Sequence, residues 1–405
     1  MYKNINLQYY ASDVDHPMGT DYRKSSEGAL AIIQNRLTTD MQGLKLKNTF
    51  NISSYKLLIG LDGSERKWDG AYYKNDLPLA GGRKSIDDAK TKNAAIFVKI
   101  DKNFGNFDVT VGARYDDSKI THATLQTNNY SALSANIFTS YHINKENRVF
   151  LGIGKSSRVP DARELYFTGS NANLTGTPNL DQTTNTEIDL GYELTNDNFN
   201  FKVKTFYSKL DDYIYYNRDN LKTITIMGTP KKVSINSFEN IDAYVYGLEV
   251  SASYFATDDI SIDAGMSYKR GKKDDALVGN TDGITVQQTD KDLADMVPLR
   301  ANVALNYEYS NHSMATVEIQ ASDRWDNFDE DNGEQELAGW AIMNMKVKHA
   351  LDKHAEFTIG VNNVFDSTYA VSNTYADLIL ITSGGDVMLM NEPGRYFYTN
   401  LTFRF

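Results

Sequence analysis

The sequence contains no cysteine. That absence excludes disulfides, thiolate metal sites and cysteine nucleophiles, and it leaves the redox compartment open. No run of about 18 apolar residues occurs, so there is no helix to cross a membrane. The opening residues MYKNINLQYY lack the apolar core of a secretion signal and pass directly into alternation. Basic stripes are missing too. The formal net charge is -11, which argues against nucleic acid as a partner. Proline is scarce, at 7 in 405 residues. In a soluble protein that length would suggest about two or three domains.

What is abundant points elsewhere. Tyrosine (26) outnumbers phenylalanine (18), and aromatic residues make up 12% of the chain. A tyrosine-rich, acidic chain without cysteine or hydrophobic helices suits a bacterial outer-membrane barrel. Strict period-2 alternation recurs along it. Near the C-terminus Phe397, Thr399, Leu401, Phe403 and Phe405 share one face, and Tyr396, Tyr398, Asn400, Thr402 and Arg404 the other. In the middle, Tyr246, Leu248, Val250, Ala252 and Tyr254 alternate with Gly247, Glu249, Ser251 and Ser253. Successive residues of a strand point to opposite faces, so each strand has one apolar and one polar face.

A sandwich also alternates. Two features favour a membrane barrel. The apolar faces begin or end in Tyr or Phe, as an aromatic girdle at the lipid interface requires. The connections also alternate in length. Short turns are predicted near Ser53, Gly105, Asn144, Asn196, Thr257, Ser310 and Asp352. Long polar segments are predicted near 11–36, 70–92, 118–129, 158–181, 218–232, 271–291, 327–338 and 373–392. Short periplasmic turns against long external loops are the outer-membrane pattern. The expected fold is an all-β transmembrane antiparallel barrel of roughly sixteen strands, with Met1 and Phe405 on the periplasmic side.

Four stretches carry a family resemblance. SSRVPDARELYF holds Arg158, Pro160, Glu164, Leu165 and Tyr166, and PNLDQTTNTEIDLGYEL begins at Pro178. VNNVFDSTY begins at Val361, and EPGRYFYTNLTFRF closes the chain. In this order they resemble TonB-dependent outer-membrane receptors. The resemblance implies a bacterial outer-membrane location, contact with membrane lipid, and energy from the TonB–ExbB–ExbD complex acting on a plug domain. It also implies that the barrel-assembly machinery reads the terminal Phe405. Residues 1–405 are expected to be a partial barrel domain, roughly the last 16 of 22 strands, with the plug absent. Arg158, Glu164 and Asn363 are expected to be wall and loop-base residues.

The hexapeptide DVDHPM, Asp13 to Met18, is expected to open the first long external loop, in solvent. In an extended segment His16 and Met18 point the same way. Pro17 between them stiffens the pair. Imidazole suits copper, and a thioether selects soft Cu(I) over hard cations. Asp13 and Asp15 beside it could attract cations by their field. The plain alternative is two unrelated surface side chains. The surrounding YYASDVDHPMGTDYR, with NIDAYVYGLEVSASY and MVPLRANVALNYEY, resembles the TonB-dependent copper receptor subfamily. That resemblance implies that His16 and Met18 form the barrel half of a copper site. The other half would be a Cys-x-x-x-Met pair on the plug.

Other candidates are weaker. Met343 and Met345 are expected to face lipid, and Met388 and Met390 could form a second thioether station in the last external loop. His122, His142, His312, His349 and His354 are expected to be scattered and solvated. No spacing suggests a hydrolase, so the chain reads as a transporter and not an enzyme, with copper as cargo and no catalytic cofactor. The rival readings are a ferric-siderophore receptor and a passive sixteen-stranded porin.

Overall fold

The structure, a computed structural model, describes residues 2–19, 32–226, 228–274, 277–371 and 391–404. Sixteen long strands follow one another. They are β1 (Tyr2–Met18), β2 (Ile33–Ile52), β3 (Tyr55–Lys74), β4 (Lys84–Phe104) and β5 (Phe107–Thr121). Next come β6 (Asn128–His142), β7 (Asn147–Arg158), β8 (Thr183–Thr195), β9 (Phe199–Tyr216), β10 (Phe238–Phe255) and β11 (Ile260–Lys273). The last five are β12 (Arg300–Ser310), β13 (Ser313–Ser322), β14 (Trp340–Ala350), β15 (Ala355–Asn362) and β16 (Tyr396–Phe403). Each pairs antiparallel with the next. Among the described residues, β1 pairs only with β2, and β16 only with β15.

The two faces differ in the way the alternation requires. One carries large apolar side chains in the open, including Leu7 (65% exposed), Leu133 (63%) and Phe397 (75%). A contiguous apolar face of this size suits lipid and not water. The other face holds charge in pairs. Arg114 reaches Asp62 at 3.3 Å and Asp116 at 2.7 Å, and Lys204 meets Asp189 at 2.8 Å. It is also where aromatic rings lie over glycines directly across the ladder. A Cβ on Gly60 would stand 2.1 Å from Phe97 Cζ, and one on Gly191 2.1 Å from Phe150 Cζ. Tyr10 over Gly43, Phe206 over Gly247 and Tyr398 over Gly360 repeat the arrangement.

Leu37 of β2, Ile86, Ile120, Leu165, Tyr166 and Ile214 of β9 belong to one buried cluster that runs across this end of the sheet. With the apolar face against lipid, the ion-paired face is the lumenal one.

All seven predicted turns connect strands. The long connections are shorter than expected on one side of the sheet. β1 continues to Met18, β2 starts at Ile33, β3 runs to Lys74 and β4 starts at Lys84. The segments expected to be loop at 11–18 and near 70–74 and 84–92 are therefore strand. Phe405, expected to face the assembly machinery, lies outside the described residues.

Candidate functional site

The first candidate lies on β1. The hexapeptide is not in a loop: Asp13 through Met18 pair in unbroken register with Asp40 through Asn35 of β2. Among the described residues Pro17 sits on a strand with one ladder neighbour, the kind of edge position where proline is tolerated. Leu7 and Tyr9 face outward, so alternation turns Tyr10, Ser12, Val14, His16 and Met18 to the lumen. The partners agree: His16 lies opposite buried Leu37, and Met18 opposite buried Asn35. His16 and Met18 thus share the lumenal face at the long-connection end, both exposed. Their Cα atoms are about 7 Å apart, close enough for both side chains to reach one ion. Asp13 and Asp15 fall on the opposite, outward face, with Asp13 across from Asp40. They are not beside the pair as expected, and any influence is through the field. Among the described residues no group of three His, Cys, Asp or Glu could hold a metal ion. Two donors from β1 leave most of a copper coordination sphere to other ligands.

The second feature is the wall beside this pair. The connection from β7 to β8 carries a five-residue helix, α1 (Ala162–Tyr166). Its start is a capping box. Asp161 accepts from Arg163 N at 2.9 Å, and Glu164 accepts from Asp161 N at 2.6 Å. Arg158 grips Glu164 with two bonds of 2.9 and 3.0 Å. Arg66 of β3 binds Asp161 at 2.5 Å. The helix drives Leu165 and Tyr166, both 0% exposed, against Leu37, Ile86 and Ile120. The Tyr166 hydroxyl donates toward Gln126 O at 3.0 Å and accepts from Asn128 Nδ2 at 2.8 Å. Burial raises its pKa. Arg158 and Glu164 are structural, as expected. So is Asn363, which is 1% exposed and holds Ser367 through its side-chain amide. The helix itself was not expected. Its signal was present as Asp161-x-x-Glu164 directly after Pro160.

A third feature ties three other connections together. Lys273, at the end of β11, meets Asp329 at 2.9 Å, with both side chains at most 1% exposed. Tyr215 of β9 donates to the same carboxylate at 2.7 Å. Burial pushes the Asp329 carboxyl up, against the pull of Lys273 and Tyr215. Glu334, also raised by burial, accepts the backbone N–H groups of Asp295 and Asp329. Above β9–β11, two hairpins, Leu221–Ile226 with Thr229–Ser234 and Val278–Thr281 with Ile284–Gln287, join in a separate small sheet.

The remaining candidates separate. Met343 and Met345 pair with outward Ile319 and Val317, on the lipid face as expected. Met388 and Met390 lie outside the described residues. His142, His312, His349 and His354 all sit at the short-turn end, not scattered. His122 is not a solvated surface group. Its ring lies 4.8 Å from that of Tyr166, and Nδ1 accepts from the amides of Thr124 and Leu125 at 3.2 Å. Burial lowers its pKa.

Residues 2–364 match the family model described as TonB dependent receptor-like, beta-barrel. Among curated protein sequences, none matches. A solved structure titled "Copper transporter OprC" is 18% identical with a TM-score of 0.82, over 100% of this chain and 65% of that one. The ferric yersiniabactin uptake receptor FyuA from Yersinia pestis is 13% identical with a TM-score of 0.69, over 99% and 58%. The ferric citrate transporter FecA, unliganded, is 14% identical with a TM-score of 0.71, over 99% and 59%. At these identities the likeness is one of fold. The chain spans less than two thirds of the length of each.

Proposed function

This chain belongs to the TonB-dependent receptor β-barrel family, whose members are outer-membrane receptors and transporters, and on that premise we propose that it serves copper uptake. Residues 1–405 are its barrel domain, in part. The observation that carries the reading is the placement of His16 and Met18 on one lumenal face at the long-connection end of β1. There an imidazole and a thioether meet an ion arriving from outside. Both are ligands a copper ion takes, and the thioether discriminates against hard cations. Pro17 between them limits the backbone freedom that capture would otherwise remove. The remaining ligands come from a plug inside the lumen, and the TonB–ExbB–ExbD complex acts through that plug to release the ion inward. The likeness to a solved copper transporter supports the reading.

The test is copper bound per purified receptor, by elemental analysis. His16→Ala and Met18→Ala each lower the copper content. The double variant loses little beyond the worse single, because both side chains hold the same ion. Silver(I) competes, and zinc competes poorly because thioether is not among its usual ligands. Unchanged copper in the double variant would overturn the assignment. The reading in first place would then be ferric-chelate uptake, which Trp68 on the lumenal wall favours, with the Arg66 guanidinium 5.4 Å from its ring centre.

A further inference from the structure

The chain contains a second His-x-Met sequence. His312, Ser313 and Met314 repeat the spacing of His16, Pro17 and Met18, and no other histidine has a methionine two residues on. The first pair lies at the long-connection end of the lumen. The second lies at the short-turn end, the periplasmic mouth of an outer-membrane barrel. Met314 is the second residue of β13 and pairs with Lys348 of β14. Val317 and Ile319 on the same strand face outward, so alternation turns Met314 to the lumen. His312 closes the turn before β13 with a left-handed backbone, φ 63°. Its amide donates to Glu308 at 3.3 Å. Ser313, 1% exposed, anchors the turn by accepting from Ala350 N at 3.0 Å. Among the described residues no hydrogen bond engages the His312 ring.

A third donor stands beside this pair. His312 and His354 line one cavity of about 170 Å3 between the β12–β13 and β14–β15 turns, which Glu356, Thr402 and Arg404 also line. His354 Nδ1 lies 3.0 Å from Arg404 O. A carbonyl only accepts, so in the neutral ring Nδ1 carries the proton and Nε2 keeps its lone pair. Metal-bound histidines are commonly oriented in this way. The acids at the cavity are already engaged. Asp352 accepts the amides of His354 and Ala355 at 2.7 and 2.8 Å. Glu356 meets Lys348 at 3.2 Å and Arg404 at 3.6 Å. A hard cation therefore finds no free carboxylate set, and among the described residues no three His, Cys, Asp or Glu side chains could hold an ion. The donors left over are two imidazoles and a thioether.

We propose that His312, Met314 and His354 form a binding site for Cu(I) at the periplasmic mouth, an exit station for the ion released from the lumen. Its role in export rests on the copper reading; its affinity rests on the donor set alone. Thioether and imidazole select a soft ion over hard cations. Both mouths offer the same kinds of donor, so an ion passing from one to the other exchanges like for like. All the donors are neutral, and the transfer needs no change of oxidation state and no proton.

The full-length receptor carrying His16→Ala and Met18→Ala, which lacks the external pair, is titrated with Cu(I) under reductant against a chromogenic Cu(I) chelator. Its copper X-ray absorption spectrum is recorded alongside. Adding His312→Asn, Met314→Leu or His354→Gln weakens the remaining copper by roughly tenfold or more. Met314→Leu also diminishes the sulfur signal. Asparagine tolerates the left-handed backbone at 312, and leucine conserves the volume of methionine, so heat-modifiable migration is unchanged. The proposal is overturned if these variants hold Cu(I) as their background does, if Met314→Leu alters neither affinity nor spectrum, or if zinc binds as tightly as Cu(I). The two copper sites fail separately. Should the short-turn variants match wild type while the external pair's variants lose copper, this site alone is refuted. Should the external pair's variants lose none while the short-turn variants do, the site at His16 and Met18 is refuted and this one stands.

Discussion

An arginine scan of one strand tests the assignment of faces and depth. On β10 the outward residues Tyr246, Leu248, Val250, Ala252 and Tyr254 form a band bounded by tyrosines eight positions apart. At ~3.3 Å per residue and a tilt of about 40°, that band is ~20 Å tall, close to the ~25 Å expected of a barrel's apolar belt. Val250 is at its centre, with Val203 and Met266 as ladder partners. Val250→Arg puts a cation at mid-depth and costs about 2–4 kcal/mol, a factor of roughly 30 to 700 in the folding equilibrium. Ala252→Arg, nearer the girdle, costs less, and Tyr254→Arg about 0–1 kcal/mol. Ser251→Arg points into the lumen. Its penalty is the like charge of Lys202 directly opposite, at most about 1 kcal/mol. The assay is the folded fraction by heat-modifiable gel migration and urea titration in lipid vesicles. A flat profile, with Val250 and Ser251 equally damaging, would refute the assignment of lipid and lumen.

Three further outcomes follow from the external connections. Lys273→Met leaves the Asp329 carboxylate buried and unpaired, and costs about 3–5 kcal/mol, whereas Lys273→Met with Asp329→Leu costs far less. Limited proteolysis of the 323–339 connection reports the difference. Tyr166→Phe strands the partners of its hydroxyl and costs about 1–3 kcal/mol, visible as a lowered urea midpoint. Burial lowers the pKa of His122 below its ordinary 6.5, so the folded state prefers the neutral ring. Its contribution is full above the unfolded value and is lost as pH falls from there through the folded value. Exchange of the Thr124 and Leu125 amides, corrected for intrinsic rates, therefore speeds up on acidification below pH ~6.5. His122→Gln removes that dependence.

The strands were legible in the sequence because lipid on one side and water on the other impose alternation, and because the short turns carry Asn, Asp, Gly and Ser. Their outer ends were not. Beyond the girdle the outward positions become Asp13, Asp40, Glu65, Lys67 and Lys92, while the ladder continues without a break. Alternation in hydrophobicity therefore marks where the lipid stops, not where the strand stops. That is why Asp13 to Met18 read as loop although it is paired throughout. The hidden parts depend on distant partners. Lys273 and Asp329 are 56 residues apart, and each alone has the look of a solvated charge. The contact between His122 and Tyr166 likewise spans two connections. For the candidate site, the shared direction of His16 and Met18 followed from i, i+2 spacing. That this direction is the lumen depended on Leu37 and Asn35 across the ladder.

The rings lying over glycines also act as keys that admit one strand alignment. Each pairs an aromatic with a glycine directly opposite, at β1–β2, β3–β4, β7–β8, β9–β10 and β15–β16. A slip of one residue turns ring and glycine to opposite sides of the wall. A slip of two keeps the side but drives Phe97 onto Asp62 or Leu58, where a Cβ occupies the space the ring needs. Errors in threading are thus rejected one hairpin at a time, by local fit, before distant strands have met. A long meander whose inner face is otherwise rich in interchangeable polar residues gains from these few contacts a means of counting its own residues as it assembles.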